Sequence, residues 1–166
     1  MGETVRIGIL SDSHNHRERT ERAVDLLREA GAQALFHCGD LASEEIVATC
    51  AVLPFYFSLG NHDADMVRIL ERAADQHGAH CLGWGGEVTL AGKRIAVVHG
   101  HISRDLKPLL EAEPDYLLTG HSHQSHDFRA GATRRINPGA LFRAKVFTVA
   151  ILDLATDELE LREVAR

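Results

Sequence analysis

Five short apolar runs in this chain each lead into a polar signature, and that recurrence constrains the fold more than any other feature. Val5-Arg6-Ile7-Gly8-Ile9-Leu10 runs into Asp12-Ser13-His14, and Ala34-Leu35-Phe36-His37-Cys38 runs into Gly39-Asp40. Phe55-Tyr56-Phe57-Ser58-Leu59 runs into Gly60-Asn61-His62-Asp63. Later stand Val98-His99-Gly100-His101 and Gly120-His121-Ser122-His123. The runs are too short for helices and rich in β-branched and aromatic residues, so they read as buried strands.

Helical patterns separate the first three runs. Ala23, Leu26, Leu27 and Ala30 share one face, with Gly31 as the stop. Ser43 reads as the N-cap of a short helix through Ile46 and Val47, with Glu44 and Glu45 suited to its first-turn dipole. Met66, Ile69, Leu70 and Ala73 define the inward face of a third helix ending near Gly78. This β-α-β-α-β-α order implies a parallel sheet with right-handed crossovers. From residue 80 the pattern changes. A hairpin is expected at 87–98, and a short helix near Pro108-Leu109-Leu110 with the proline in its first turn. A strand at Tyr116-Leu117-Leu118, a hairpin around Arg129–Ala132 and a last pair about Ala155–Asp157 complete a half that reads as mostly antiparallel.

No linker, repeat or low-complexity stretch divides the 166 residues, so one domain over 1–166 built on mixed sheets is expected. Net charge is −6, with acidic and basic residues interleaved, which argues against a protein that grips duplex nucleic acid through a basic face. No apolar run reaches the ~18 residues of a membrane span. The opening MGETVRIGIL lacks the basic segment and cleavage site of a signal peptide. Three cysteines without CxxC spacing suit reduced thiols, so the cytoplasm is the expected compartment. Eleven histidines are present, and they concentrate in the polar signatures.

In open α/β sheets the C-terminal strand ends converge on one crevice. Five loops can therefore bring Asp12, His14, Asp40, Asn61, His99, His121 and His123 into one place. Carboxylates and imidazoles crowded together are costly unless a cation neutralises them. Oxygen and nitrogen donors without cysteine suit Mn²⁺, Fe, Zn²⁺, Co²⁺ or Ni²⁺. Seven candidates exceed the needs of one tetrahedral ion, whereas two divalent ions sharing a bridging carboxylate fit the count. Each signature alone is ordinary, since Gly-Asp is common turn chemistry and a single strand-end histidine is usually structural. The ordered set is what points to a metal site.

Taken together, Asp12-Ser13-His14, Gly39-Asp40, Gly60-Asn61-His62-Asp63, His99-Gly100, Gly120-His121-Ser122-His123 and Ile136-Asn137-Pro138-Gly139-Ala140 resemble the calcineurin-like metallophosphoesterases. Within that family the similarity is greatest to the minimal prokaryotic phosphodiesterases, and it spans residues 5 to about 150. The resemblance implies a four-layer α/β/β/α sandwich of two mixed sheets. It implies one ion held by Asp12, His14, Asp40 and His123, and another by Asp40, Asn61, His99 and His121, with manganese the expected metal. Two departures stand out. Ser43 replaces an acid that the wider family often carries three residues after the bridging Asp. His62 is present where several minimal members lack a histidine.

The resemblance implies hydrolysis of a phosphodiester, with monoesters as further substrates, by hydroxide from a water whose pKa the cation pair lowers towards ~7. His62 either stabilises charge on the phosphoryl oxygens or protonates the leaving alkoxide, and Asp63 orients the loop or His62. His101 and Asn137 are candidate substrate contacts. His126, Asp127 and Arg129 read as a solvated hairpin, with substrate contact as the alternative. The expected partner is a small phosphate ester, with no membrane, no duplex nucleic acid, and a homodimer as the default assembly. The alternative function is a catalytically weak metal-binding scaffold of the same fold that serves as a protein-interaction module.

Overall fold

β1 (Arg6–Leu10) sorts its side chains by alternation, and the rest of the architecture follows from that sorting. Ile7 and Ile9 point to one face and Leu10 to the other, and all three are fully buried. A computed structural model describes residues 5–166; the leader reading at Met1–Thr4 lies outside the described residues. α1 (Arg17–Glu29) leads to β2 (Ala34–His37), α2 (Glu44–Cys50) to β3 (Phe55–Phe57), and α3 (Val67–His77) to β4 (His80–Cys81). β1, β2 and β3 pair in parallel in that order, as the alternating pattern predicts, and β4 adds a further parallel strand beside β3.

α1, α2 and α3 cover the face that carries Leu10, Leu35, Phe55 and Phe57, and contribute Val24, Leu27, Ile46, Val47 and Leu70. Each such side chain taken fully from water stabilises the fold by about 1.5–3 kcal/mol before entropy is counted. α3 ends at Gly78, whose φ of +68° is the left-handed cap glycine accepts without strain. Ile69, expected to face inward, is 43% exposed. The buried stripe of α3 is Leu70, Ala73 and Ala74, and Ile69 lies beside it on the solvent side.

The second half departs further from the expected pattern. β5 (Gly86–Leu90) and β6 (Lys93–Val97) form the expected hairpin. β7 (Tyr116–Leu118) then pairs with β6 and with β9 (Thr133–Asn137) in parallel, and β8 (His126–Ala130) closes the edge antiparallel to β9. This five-stranded sheet is thus mixed rather than mostly antiparallel. α4 (Ser103–Glu111) begins early enough to place Pro108 in its interior rather than its first turn. β10 (Phe147–Asp153) and β11 (Leu159–Val164) return to the first sheet, where β10 lies antiparallel to β1.

Two further apolar layers close the structure. Ile7, Ile9 and Phe36 meet Val97, Leu118 and Ile136 between the sheets. Ala96, Val98 and Leu117 meet Leu106, Leu109 and Leu110 of α4 on the outer face of the second sheet. The result is the four-layer α/β/β/α sandwich, with the C-terminal ends of β1, β2, β3, β6 and β7 feeding the five polar signatures. No helix among the described residues is long and apolar enough to cross a membrane.

Candidate metal centre

The strand-end loops are tied to one another before any side chain is considered. The amides of Asp12 and His14 donate to the carbonyls of Gly39 and Asp40, each at 3.0 Å. Gly120 N–H donates to the His99 carbonyl at 3.1 Å, and Leu141 N–H to the Ser11 carbonyl at 3.2 Å. These links force unusual backbone shapes. Asp12, His14, Asp40, His121 and His123 all have positive φ, between 43° and 69°. Non-glycine residues adopt that region at a cost of order 1–3 kcal/mol each, and clusters of such strain mark functional sites.

The side chains then converge. His123 Nε2 lies 3.1 Å from Asp12 Oδ1. His14 Nε2 and His99 Nε2 lie 3.2 and 3.3 Å from Asp40 Oδ2. Asp12 Oδ1, His14 Nε2 and His99 Nε2 are buried and have no hydrogen-bond partner. Unpaired polar atoms aimed at one point need a ligand, and this donor set fits a divalent cation. Three overlapping groups meet metal-holding geometry: Asp12, His14 and His123; His14, Asp40 and His62; and Asp12, Asp40 and His99. Asp12, His14 and Asp40 each belong to two of them.

The outer groups orient these donors. His99 Nδ1 faces the Cys38 carbonyl at 2.8 Å and His123 Nδ1 faces the Arg143 carbonyl at 3.3 Å, so each donates there and turns its Nε2 inward. Ser11 Oγ and the His121 amide donate to Asp12 Oδ2 at 2.5 and 3.1 Å. The His62 amide donates to Asp40 Oδ1 at 2.9 Å, leaving Oδ2 for the cluster. Burial pushes the Asp12 and Asp40 carboxyls up, but the surrounding imidazoles and hydrogen bonds outweigh it and hold both below the usual carboxylate range. The same carboxylates overcome the burial of His14 and raise it to about 9, and they raise His99. Protons and cations therefore compete for one set of atoms.

Each remaining candidate has a definite place. Asn61, His62 and His121 line a cavity of about 330 Å³ with His14, Asp40 and His123. The His62 ring sits 4.7 Å from that of His14. Asp63 is fully buried and accepts the amides of Asp40, Leu41, Ala42 and Gly60, so it positions the loop rather than meeting reactants. Burial drives its carboxyl up, against the donors of Gly60, Ala42 and Leu41. His101 packs 5.3 Å from His99 and 6.0 Å from His121 and Trp84. Asn137, expected as a substrate contact, has its side chain engaged within the protein. It is 1% exposed, donates to Gly120 O and Ser122 Oγ, and accepts from Gly139 N–H. Ser43 occupies the N-cap position of α2 without a capping bond.

Phe142 and Arg143 escaped the sequence reading. Phe142 stacks on His14 at 4.4 Å, and its neighbour Arg143 lines the same cavity. No local pattern signals them, because the loop between β9 and β10 brings them to the site only in the folded chain.

Fold and site together define a four-layer α/β/β/α protein with an aspartate–histidine cluster suited to divalent cations at the sheet ends. The family model of the calcineurin-like phosphoesterase superfamily domain matches residues 5–157, and the chain belongs to that family. Phosphodiesterase MJ0936 of Methanocaldococcus jannaschii is 24% identical over 165 residues, covering 96% of this chain and 98% of the relative. The structure of an archaeal phosphodiesterase aligns with a TM-score of 0.84 at 22% identity, over 96% of this chain and 100% of that one. The phosphoesterase YfcE of E. coli aligns at 0.70 and 20% identity, over 97% and 100%.

Proposed function

We propose that this protein hydrolyses small phosphodiesters at a pair of divalent cations, most readily manganese, with Asp40 shared between them. The observation that carries the reading is the set of buried, unpartnered atoms on Asp12, His14 and His99 that face one another across Asp40 Oδ2. Asp12, His14, Asp40 and His123 would hold one ion, and Asp40, Asn61, His99 and His121 the other. When bound, the cations supply Lewis-acid polarisation of the phosphoryl oxygens and a water acidified towards ~7.

The chain's own residues do the rest. Asp63 fixes the two loops that present Asp40 and Asn61. The His62 amide holds Asp40 in register while its exposed ring faces the cavity, where it donates to the leaving alkoxide or to a phosphoryl oxygen. Arg143, on the cavity rim, draws the anionic ester in. A cavity of about 330 Å³ favours a small ester. Both sheets contribute ligands, which supports one catalytic domain. Unpaired Cys38, Cys50 and Cys81 support a reducing, cytoplasmic setting.

The scaffold alternative is not favoured, because the chain keeps the whole ligand set and His62. Reconstitution with manganese followed by assay on bis(p-nitrophenyl) phosphate and p-nitrophenyl phosphate tests the proposal. Metal-dependent turnover that is faster on the diester is expected. Bound metal with hydrolysis of neither would overturn it and favour the scaffold.

A further inference from the structure

A second cavity, of about 360 Å³, opens beside the cation site and shares His121 with it. That volume is within the range of small-molecule sites. Its wall includes Thr119, Ser122, Gln124, His126 and Arg135. The His121 ring lies 5.1 Å from that of His99, so one side chain separates this cavity from the cation cluster.

Arg135 is the unusual member. Its neighbours Arg129 and Arg134 are neutralised, the first by Asp157 and the second by Asp127 and Asp157. Among the described residues Arg135 has no carboxylate partner, and its buried Nε has no hydrogen-bond partner. The buried Nδ1 of His126 is likewise unpaired. Arg135 stands opposite Phe128 in the β8–β9 register, with its guanidinium 5.2 Å from the ring centroid. Phe128 in turn packs on His126 at 5.2 Å. The hairpin is therefore not a plain solvated turn, as the sequence suggested for His126. It holds a cation in place against an aromatic ring and leaves it without a counter-ion.

Leaving such donors unpaired costs about 1–3 kcal/mol each, more for a charged group, unless something enters to accept from them. A guanidinium suits a planar or tetrahedral oxyanion, and the hydroxyl of Thr119 and the side-chain amide of Gln124 suit the remaining oxygens of a phosphate. We propose that this cavity is an accessory anion subsite in which Arg135 binds a second phosphate, carried on a substituent of the diester cleaved at the cation site. The inference rests on the phosphodiesterase reading and narrows its substrate class to small diesters bearing a further phosphate group.

Two chromogenic diesters that differ only by a phosphate on the far end of the non-chromogenic substituent test it on the manganese-loaded enzyme. The phosphorylated diester should be favoured roughly tenfold in kcat/KM, mostly through KM, the effect of one part-exposed charge-assisted contact. Arg135→Met should bring the ratio to about one, with Arg135→Lys between. No preference in the wild type, or a preference that Arg135→Met leaves intact, would overturn the subsite. Hydrolysis of neither diester would instead remove the diesterase reading. The subsite then stands or falls on amide chemical shifts of the zinc-loaded protein titrated with inorganic phosphate. The Phe128 amide should shift in the wild type and not in Arg135→Met, and an unmoved signal in the wild type would overturn it.

Discussion

The Asp63 carboxylate accepts the amide hydrogen of Asp40 at 2.9 Å, across 23 residues of sequence. It also takes Ala42 and Gly60 at 2.8 Å each and Leu41 at 3.3 Å, so one buried side chain clamps the loops after β2 and β3. Asp63→Ala would strand four amides, at a cost of about 3 kcal/mol or more. Thermal unfolding should show a Tm lower by roughly 6–12 °C for a chain of this size. Metal content should fall with it, because Asp40 loses its support.

His37 carries a pH dependence whose sign is fixed by its hydrogen bonds. Gly39 N–H donates to His37 Nδ1 at 3.1 Å, so the proton sits on Nε2 and is donated to Ser13 Oγ at 3.0 Å. Burial holds this ring neutral and lowers its pKa to about 3. The unfolded chain, with an ordinary histidine, takes up a proton below about 6.5 while the folded one does not. Stability is therefore complete above about 6.5 and declines as pH falls towards 3, by up to about 1.4 kcal/mol per unit. His37→Gln, whose amide can both accept from Gly39 and donate to Ser13, should show a shallower fall of Tm between pH 6.5 and 4. An identical slope would remove His37 from the acid response.

Gly120 lets two strand ends approach. A Cβ there would collide with Ser11 Oγ and lie 2.7 Å from Asp12 Oδ2. Gly120→Ala should push Asp12 off its position and weaken cation binding by about 10–100-fold, the usual effect of disturbing groups that orient ligands. Stability should fall by only about 1–3 kcal/mol, as for other overpacked sites. Isothermal titration with Mn²⁺ and a melting curve separate the two effects.

His62→Ala should keep its metal and lose turnover by about 10²-fold or more. Leaving groups then identify the ring's task. If it donates a proton, the loss is smaller on p-nitrophenyl esters, whose leaving group needs none, than on alkyl esters. If it stabilises phosphoryl oxygens, both lose alike. Full turnover in the variant would exclude His62 from the chemistry.

The parallel core of the first sheet was legible because β1, β2 and β3 alternate with helices of clear periodicity, and the ligand candidates because each closes a strand. What was not legible depended on distant partners. β4 is two residues long and exists only against β3. β10 crosses back to β1 past the whole second sheet, and the parallel pairing of β6, β7 and β9 has no local signature. Asn137 looked like a loop residue because Asn-Pro-Gly reads as a turn, whereas it ends β9 and spends its amide on Gly120 and Ser122. Arg135 was hidden for a similar reason: only the folded hairpin shows which of its arginines lack a counter-charge.

In the proposed centre Asp40 joins two cations. Crystals soaked in Mn²⁺ and measured at the manganese absorption edge test it directly. Two anomalous peaks about 3.5–4 Å apart, both within bonding distance of Asp40, are expected. An Asp40 carboxylate with no peak beside it, in crystals that bind manganese elsewhere or not at all, would contradict the account.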